Sequence, residues 1–190
     1  MHSSTKYDRL SPARLREVIH YNPDTGVFLW RYRPEALETW NERYALTKIL
    51  SPAKGGYVMF SFAADGKKAN YLCHRAAIAY MTGRWPEGPV DHINGVRTDN
   101  RYVNIREVTC QQNHMNQHKV KSSQGYKGVC LPPNISRYRA TIRIDGKNHY
   151  LGYFHTPEDA ARAYDAAAIE RFGAFARTNA SLGLLSGGVQ

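Results

Sequence analysis

Cysteine is scarce in this chain. Its 190 residues include three, Cys73, Cys110 and Cys130, far apart in sequence. An odd number without a C-x-x-C pair excludes a disulfide framework and a four-cysteine zinc knuckle. Long apolar runs are missing too: none approaches the roughly 18 residues of a membrane span. The opening M-H-S-S-T-K-Y-D-R-L lacks the apolar core of a signal peptide, so a cytoplasmic protein with no membrane partner is expected. There is no internal repeat and no low-complexity block. Acidic residues are few: 16 Asp and Glu stand against 26 Lys and Arg, a formal charge of +10. That balance suits a polyanionic partner. Between Lys119 and Tyr150 it sharpens to seven basic residues against one acid, Asp145.

What is present reads as α+β. With 42% hydrophobic residues the chain has the material for a packed core, and its length suits one domain or two small ones. S-P-A-R-L-R-E-V-I-H-Y (11–21) opens with a capping Ser and a Pro at the first helical position, predicting a helix. V-F-L-W-R-Y (27–32) follows as a strand after the N-P-D-T-G turn. G-Y-V-M-F-S-F and K-A-N-Y-L-C flank an Asp-Gly turn and predict a hairpin. H-R-A-A-I-A-Y-M-T-G (74–83) is a short helix with a Gly stop. His74, beside an apolar run, reads as a hydrogen-bonded core histidine. A helix starting at Thr109 follows the centre of the chain. K-S-S-Q-G (121–125) reads as a linker, leaving a first module over 1–120 and a second over 126–180. In the latter, three strands precede the helix H-T-P-E-D-A-A-R-A-Y-D-A-A-A-I-E-R-F-G (155–173). The tail, 181–190, is expected to fray.

The centre, V-D-H-I-N-G-V-R-T-D-N-R-Y-V-N-I-R-E-V-T (90–109), carries the chemistry. On an extended strand Asp91 and His92 point to opposite sides. A neutral imidazole is a suitable base for activating water at neutral pH. A carboxylate suits a hard cation such as Mg²⁺ that keeps several waters, and an amide such as Asn113 adds an uncharged oxygen. Asn94-Gly95 and Asp99-Asn100 are read as turn residues. A soft alternative is Cys110, His114 and His118 on one helix face as zinc donors.

D-H at 91–92, Asn104 and Asn113 resemble the H-N-N variant of the HNH nuclease motif. The preceding H-R-A-A-I-A-Y-M-T-G-R-W-P-E-G and hairpin are similar to phage and intron homing endonucleases of that family, over roughly residues 21–117. The resemblance implies a ββα-metal fold (about 84–118) behind an N-terminal β-hairpin region. It implies one divalent ion, Mg²⁺ or Mn²⁺, on Asp91 and Asn113, with His114 (the usual HNH pattern) the alternative to Asn113, ahead of Asn116. His92 would be the general base, and Asn104 would brace the loop and help orient the imidazole. The setting implied is a bacterial or phage-infected cell.

Y-K-G-V, R-Y-R-A-T-I-R, Y-L-G-Y-F, T-P-E-D-A-A-R-A-Y-D and A-R-T-N, over about 123–179, resemble the AP2 domain of plant transcription factors. That implies a three-stranded antiparallel sheet packed on one helix, its open face reading double-stranded DNA. Alternation places Arg137, Arg139, Thr141 and Arg143 on one face, which Lys127, Lys147 and Tyr150 extend. Tyr150 stands where plant members carry Trp. The combined expectation is a site-recognising, metal-dependent DNA endonuclease, nicking as a monomer or weak dimer. The alternative is a DNA-binding regulator with a silent nuclease scaffold.

Overall fold

The structure, a computed structural model, describes residues 7, 9–115 and 122–185. The chain falls into two compact units that meet between Val108 and Thr109.

In the first unit α1 (Pro12–Val18) starts where Ser11 Oγ accepts the Arg14 amide. It buries Leu15 and Val18 and runs directly into β1 (Ile19–Tyr21). β1 pairs with β2 (Phe28–Trp30) in a hairpin whose register sets Tyr21 opposite Phe28. Their rings stack at 4.4 Å. The Asn22 side chain accepts the amides of Asp24 and Thr25 and shapes the turn. Gly26, at φ +72°, completes it with no room for a side chain: a Cβ would stand 2.5 Å from the Arg101 amide nitrogen. The Tyr102 amide donates to Pro23 O (2.8 Å) and the Tyr21 hydroxyl to Asn100 O (2.8 Å). The hairpin therefore holds the loop that follows Asp91-His92.

α2 (Glu38–Tyr44) was not foreseen; it has no side-chain cap, the signal by which a helix start is recognised. β3 (Ser51–Ala53), β4 (Tyr57–Ala64) and β5 (Lys67–Leu72) form an antiparallel sheet in that order. α3 (Cys73–Thr82) ends at Gly83 in the left-handed conformation. Its small Ala76, Ala77 and Ala79 are buried and let it approach α1 closely. The R-W-P-E-G-P turn is pinned by Arg75, which donates to Gly88 O and Pro86 O, and by Trp85 Nε1, which donates to Leu10 O. β6 (Val90–His92) and β7 (Ile105–Glu107) close the unit as a two-stranded ladder.

The second unit begins with α4 (Cys110–Met115), which the sequence pattern grouped with the first module. β8 (Val129–Cys130), β9 (Tyr138–Ile144) and β10 (Lys147–Phe154) form the expected antiparallel sheet. α5 (Pro157–Phe172) lies on one face, capped by Thr156, with Glu158 and Asp159 in its first turn. Its Ala160, Ala161, Tyr164 and Ala168 pack against Val129, Ala140 and Ile142. Small side chains let helix and sheet meet closely: a Cβ on Gly128 would lie 2.0 Å from the Tyr164 ring. Asn179, fully buried, accepts the Lys127 amide (2.6 Å) and donates to Asp165 Oδ1 (2.9 Å), while Asp165 accepts the amides of Asn179 and Ala180. Residues 181–185, expected to fray, are tied back by Leu182 N to Thr178 O and Leu184 N to Asn179 O.

Lys127 also departs from expectation. Its ammonium donates to Arg177 O (3.1 Å) and lies 5.9 Å from the centre of the Tyr164 ring. It belongs to the helix side of the sheet, because the close approach at Gly128 draws the preceding residue inward. Burial lowers its pKa from 10.5 to about 8.

Two expectations follow. Gly26→Ala and Gly128→Ala combine a left-handed backbone with a steric clash, and each should cost about 2 kcal/mol or more, read from urea unfolding. The unfolded chain holds the Lys127 proton up to about pH 10.5 and the folded one only to about pH 8. Stability from this group is therefore lowest below pH 8 and rises through that window. Urea midpoints of wild type and Lys127→Met should converge as pH rises across it; a constant gap would show that the lysine is not desolvated.

Candidate active site

β6 sets Asp91 opposite Arg106 and His92 opposite Ile105. The pleat sends the two side chains to opposite faces. Both are buried, at 8% and 4% exposure. Asp91 Oδ2 accepts Arg106 Nε (3.2 Å) and Nη2 (3.1 Å), a cross-strand ion pair. Arg106 carried no signal in the sequence, because register is set only when the strands pair.

The loop between the strands is cross-tied. Asn104 Oδ1 accepts the Asn94 amide (2.9 Å) and its Nδ2 donates to Asp99 O (2.8 Å). Asn94 Nδ2 donates to Asp99 Oδ2 (2.7 Å), and Gly95 takes φ +75°. Arg101 grips Asp99 through Nε and Nη2, the largest cause of an Asp99 pKa lowered to about 2. Asn104 is thus a brace of the loop.

The imidazole Nε2 donates to Asn100, where the sequence pattern gave a turn residue and left orientation of the ring to Asn104. Asn100 is 4% exposed. Its Nδ2 donates to Thr98 O (3.4 Å), which turns Oδ1 towards His92 Nε2 at 3.2 Å. An amide oxygen only accepts, so Nε2 carries the hydrogen. In the neutral ring the lone pair is then on Nδ1. Nothing in the spacing of T-D-N-R separates this asparagine from its neighbours.

Two rings wall the imidazole. His74 meets it edge-on at 5.1 Å between centres and Tyr57 lies at 5.9 Å. Arg97 covers Tyr57 at 5.0 Å. Burial lowers the His92 pKa, opposed by the Asn100 hydrogen bond and the charges of Asp91 and Asp99. His74 is lowered further, to about 3, by burial and then by His92 and Arg75. It is a core histidine, as the pattern suggested, but its Nδ1 makes no hydrogen bond among the described residues. The pair is held neutral, the form in which an imidazole accepts a proton.

Of the candidate ligands, Asp91 offers hard oxygen donors suited to a cation that retains waters. Asn113 is an exposed residue of α4, in the second unit. The side chain of His114, and Asn116 and His118 entirely, lie outside the described residues.

In the second unit Ala140 and Ile142 face α5, which sends Arg139, Thr141 and Arg143 to the open face. Arg137 is exposed just ahead of β9, and Lys147 is exposed at the turn, opposite Ile144. Across the ladder Asn148 pairs with Arg143, Tyr150 with Thr141 and Tyr153 with Arg139. A bulge between Tyr150 and Gly152 shifts the register. Strict alternation would separate Tyr150 from Tyr153; the extra residue brings both to the open face, 5.5 Å apart. Sequence periodicity therefore missed Tyr153.

Residues 71–115 match the family model for HNH endonucleases. An uncharacterized HNH endonuclease of Acanthamoeba polyphaga mimivirus is 32% identical over 90 residues, 47% of this chain and 46% of its own length. An AP2-like ethylene-responsive transcription factor of Oryza sativa subsp. japonica is 36% identical over 186 residues, 86% of this chain and 27% of its own. The chain thus spans less than half the length of either relative. A solved HNH homing endonuclease, described binding and cleaving DNA, overlaps 52% of this chain and 51% of its own at 23% identity and a TM-score of 0.39. The chain thus joins a segment similar to HNH endonucleases to one similar to AP2-like factors.

Proposed function

We propose that this protein is a metal-dependent DNA endonuclease with His92 as general base. The observation that carries the reading is the bond from His92 Nε2 to Asn100 within the matched segment. It presents Nδ1 as the proton acceptor on a buried, neutral ring. A water attacks phosphorus as its proton passes to Nδ1, one P–O bond breaks, and the strand is nicked. Asn100 Oδ1 then faces a cationic ring and holds its Nε2–H more strongly. Asn104 keeps the loop closed behind it.

Asp91 would hold a hard divalent ion, Mg²⁺ or Mn²⁺, and the family resemblance implies Asn113 or His114 as its second ligand. When bound, such an ion stabilises charge on phosphate oxygens and on the leaving oxygen. Arg139, Thr141, Arg143 and Tyr150 present two cations, a hydroxyl and an aromatic ring on one strand pair, a surface suited to the major groove of a duplex. Arg137 and Lys147 flank it; Lys127, engaged with Arg177, is left out. One chain carries one such centre, so a single protein nicks.

One observation favours the regulator instead. Arg106 already pairs with Asp91, the carboxylate that the nuclease would use for its ion. Supercoiled plasmid with Mg²⁺, then with EDTA, separates the two. Nicking that EDTA abolishes supports the nuclease, and tight DNA binding without nicking under several divalent ions supports the regulator.

His92→Ala should lower nicking by about 10²–10⁴-fold with DNA affinity retained. Asn100→Ala should reduce kcat about tenfold and leave Kd unchanged, since it frees the tautomer without touching the DNA; an unaltered kcat would remove Asn100 from the site. Arg139→Ala or Arg143→Ala should cost about 1–3 kcal/mol of affinity for the preferred sequence. An equal loss on every sequence would mark a phosphate contact instead.

A further inference from the structure

An open cleft of about 640 Å³ lies in the first unit. None of Asp91, His92 or Asn100 lines it. Its wall is aromatic. Trp40 meets Trp30 edge-on at 5.4 Å and Tyr44 at 5.4 Å. Its cations are Arg33, Lys48 and Lys68, and no carboxylate lines it among the described residues. Arg33 is fixed. Its guanidinium lies 4.9 Å from the Trp40 ring centre and 5.1 Å from that of Phe62, and its peptide exchanges two hydrogen bonds with the Asn41 side chain. At the rim Leu37 and Leu50 remain 78% and 73% exposed. An apolar rim around a cationic, aromatic cleft marks a binding surface.

The chemistry selects the occupant. An apolar peptide would use the rings and leave Lys48 and Lys68 without a purpose, Arg33 being paired already with Glu35 at 3.2 Å. An acidic peptide would use the cations and leave the rings. A nucleotide uses both: its base stacks on aromatic faces while its phosphate meets Lys and Arg. The volume falls in the range of small-ligand sites. A base in intact duplex is stacked on both faces and offers no face to a ring, so the nucleotide must be out of the stack.

We propose that this cleft binds an unpaired nucleotide of the DNA strand, as a subsite separate from the Asp91–His92 centre. The proposal rests on DNA being the partner and not on its cleavage.

The three tryptophans, Trp30, Trp40 and Trp85, all belong to the first unit. Tryptophan fluorescence therefore originates in the first unit. Trp85 is packed against Tyr7 and Tyr71, away from the cleft lining. The full chain is titrated in EDTA, which prevents hydrolysis, with three probes of one sequence: a short single strand, the paired duplex, and that duplex with one bulged nucleotide. The single strand and the bulged duplex should quench the fluorescence, and the bulge should tighten duplex binding about tenfold. Trp40→Phe should lose most of the quench. The exposed pair Lys48→Ala and Lys68→Ala should weaken single-strand binding about tenfold and flatten its salt dependence. These surface changes decide the matter should Trp40→Phe fail to fold. Equal affinity for paired and bulged duplex, or a quench unchanged in the variants, overturns the proposal. Plasmid nicking is scored separately: nicking without quenching sinks the cleft alone, and quenching without nicking upholds the cleft while counting against the nuclease.

Discussion

The first unit depends on where the backbone at Asn100 is held. Its carbonyl accepts the Tyr21 hydroxyl, and the next peptide presses on Gly26 so closely that no side chain fits between. The same residue's amide oxygen reaches His92. A hairpin some 80 positions earlier in the chain thereby sets the plane of an imidazole. The buried tyrosine hydroxyl and the buried carbonyl satisfy each other, so separating them exposes both partners to an apolar surrounding, a larger penalty than the net value of one hydrogen bond. The loop itself contributes only local cross-ties, and those determine its shape without determining its location.

The second unit uses the same device with other residues. Asn179 and Asp165, both buried, replace the missing ladder partners of the chain around Lys127 and the turn after Thr178. Here an acid and an amide stand in for strand pairing, and α5 stays close to the sheet because alanines and Gly128 leave no bulk between them. Both units therefore place a buried polar side chain where a segment without regular structure must be fixed.

Much of this was legible in the sequence. Capped, punctuated helices such as α1 and α5 follow from Ser-Pro and Thr-Pro starts, which act locally. The alternation of Arg139, Thr141 and Arg143 is a property of one strand and needs no knowledge of its partner. The misses share a cause: they depend on residues distant in sequence. Arg106 reaches Asp91 only through the β6–β7 register. Asn100 differs from the other polar residues of its loop only because Tyr21 and Thr98 hold its peptide and amide in place. Lys127 looked like one more cation of a basic strand until the closeness of Tyr164 turned it inward. α2 lacks a capping side chain and is anchored instead by Asn41 to the peptide of Arg33.

The bulge in β10 has a consequence for how this surface tolerates change. Substitutions along the strand alter what the open face displays, one side chain at a time. Loss of a single residue between Tyr150 and Gly152 would do something different in kind. It would restore an unbroken ladder with Tyr150 and Tyr153 two residues apart, both still on the open face. What would go is Leu151, which packs against the clusters beneath α5. A single-codon deletion at that point is thus a change to the interior that leaves the exposed pair in place.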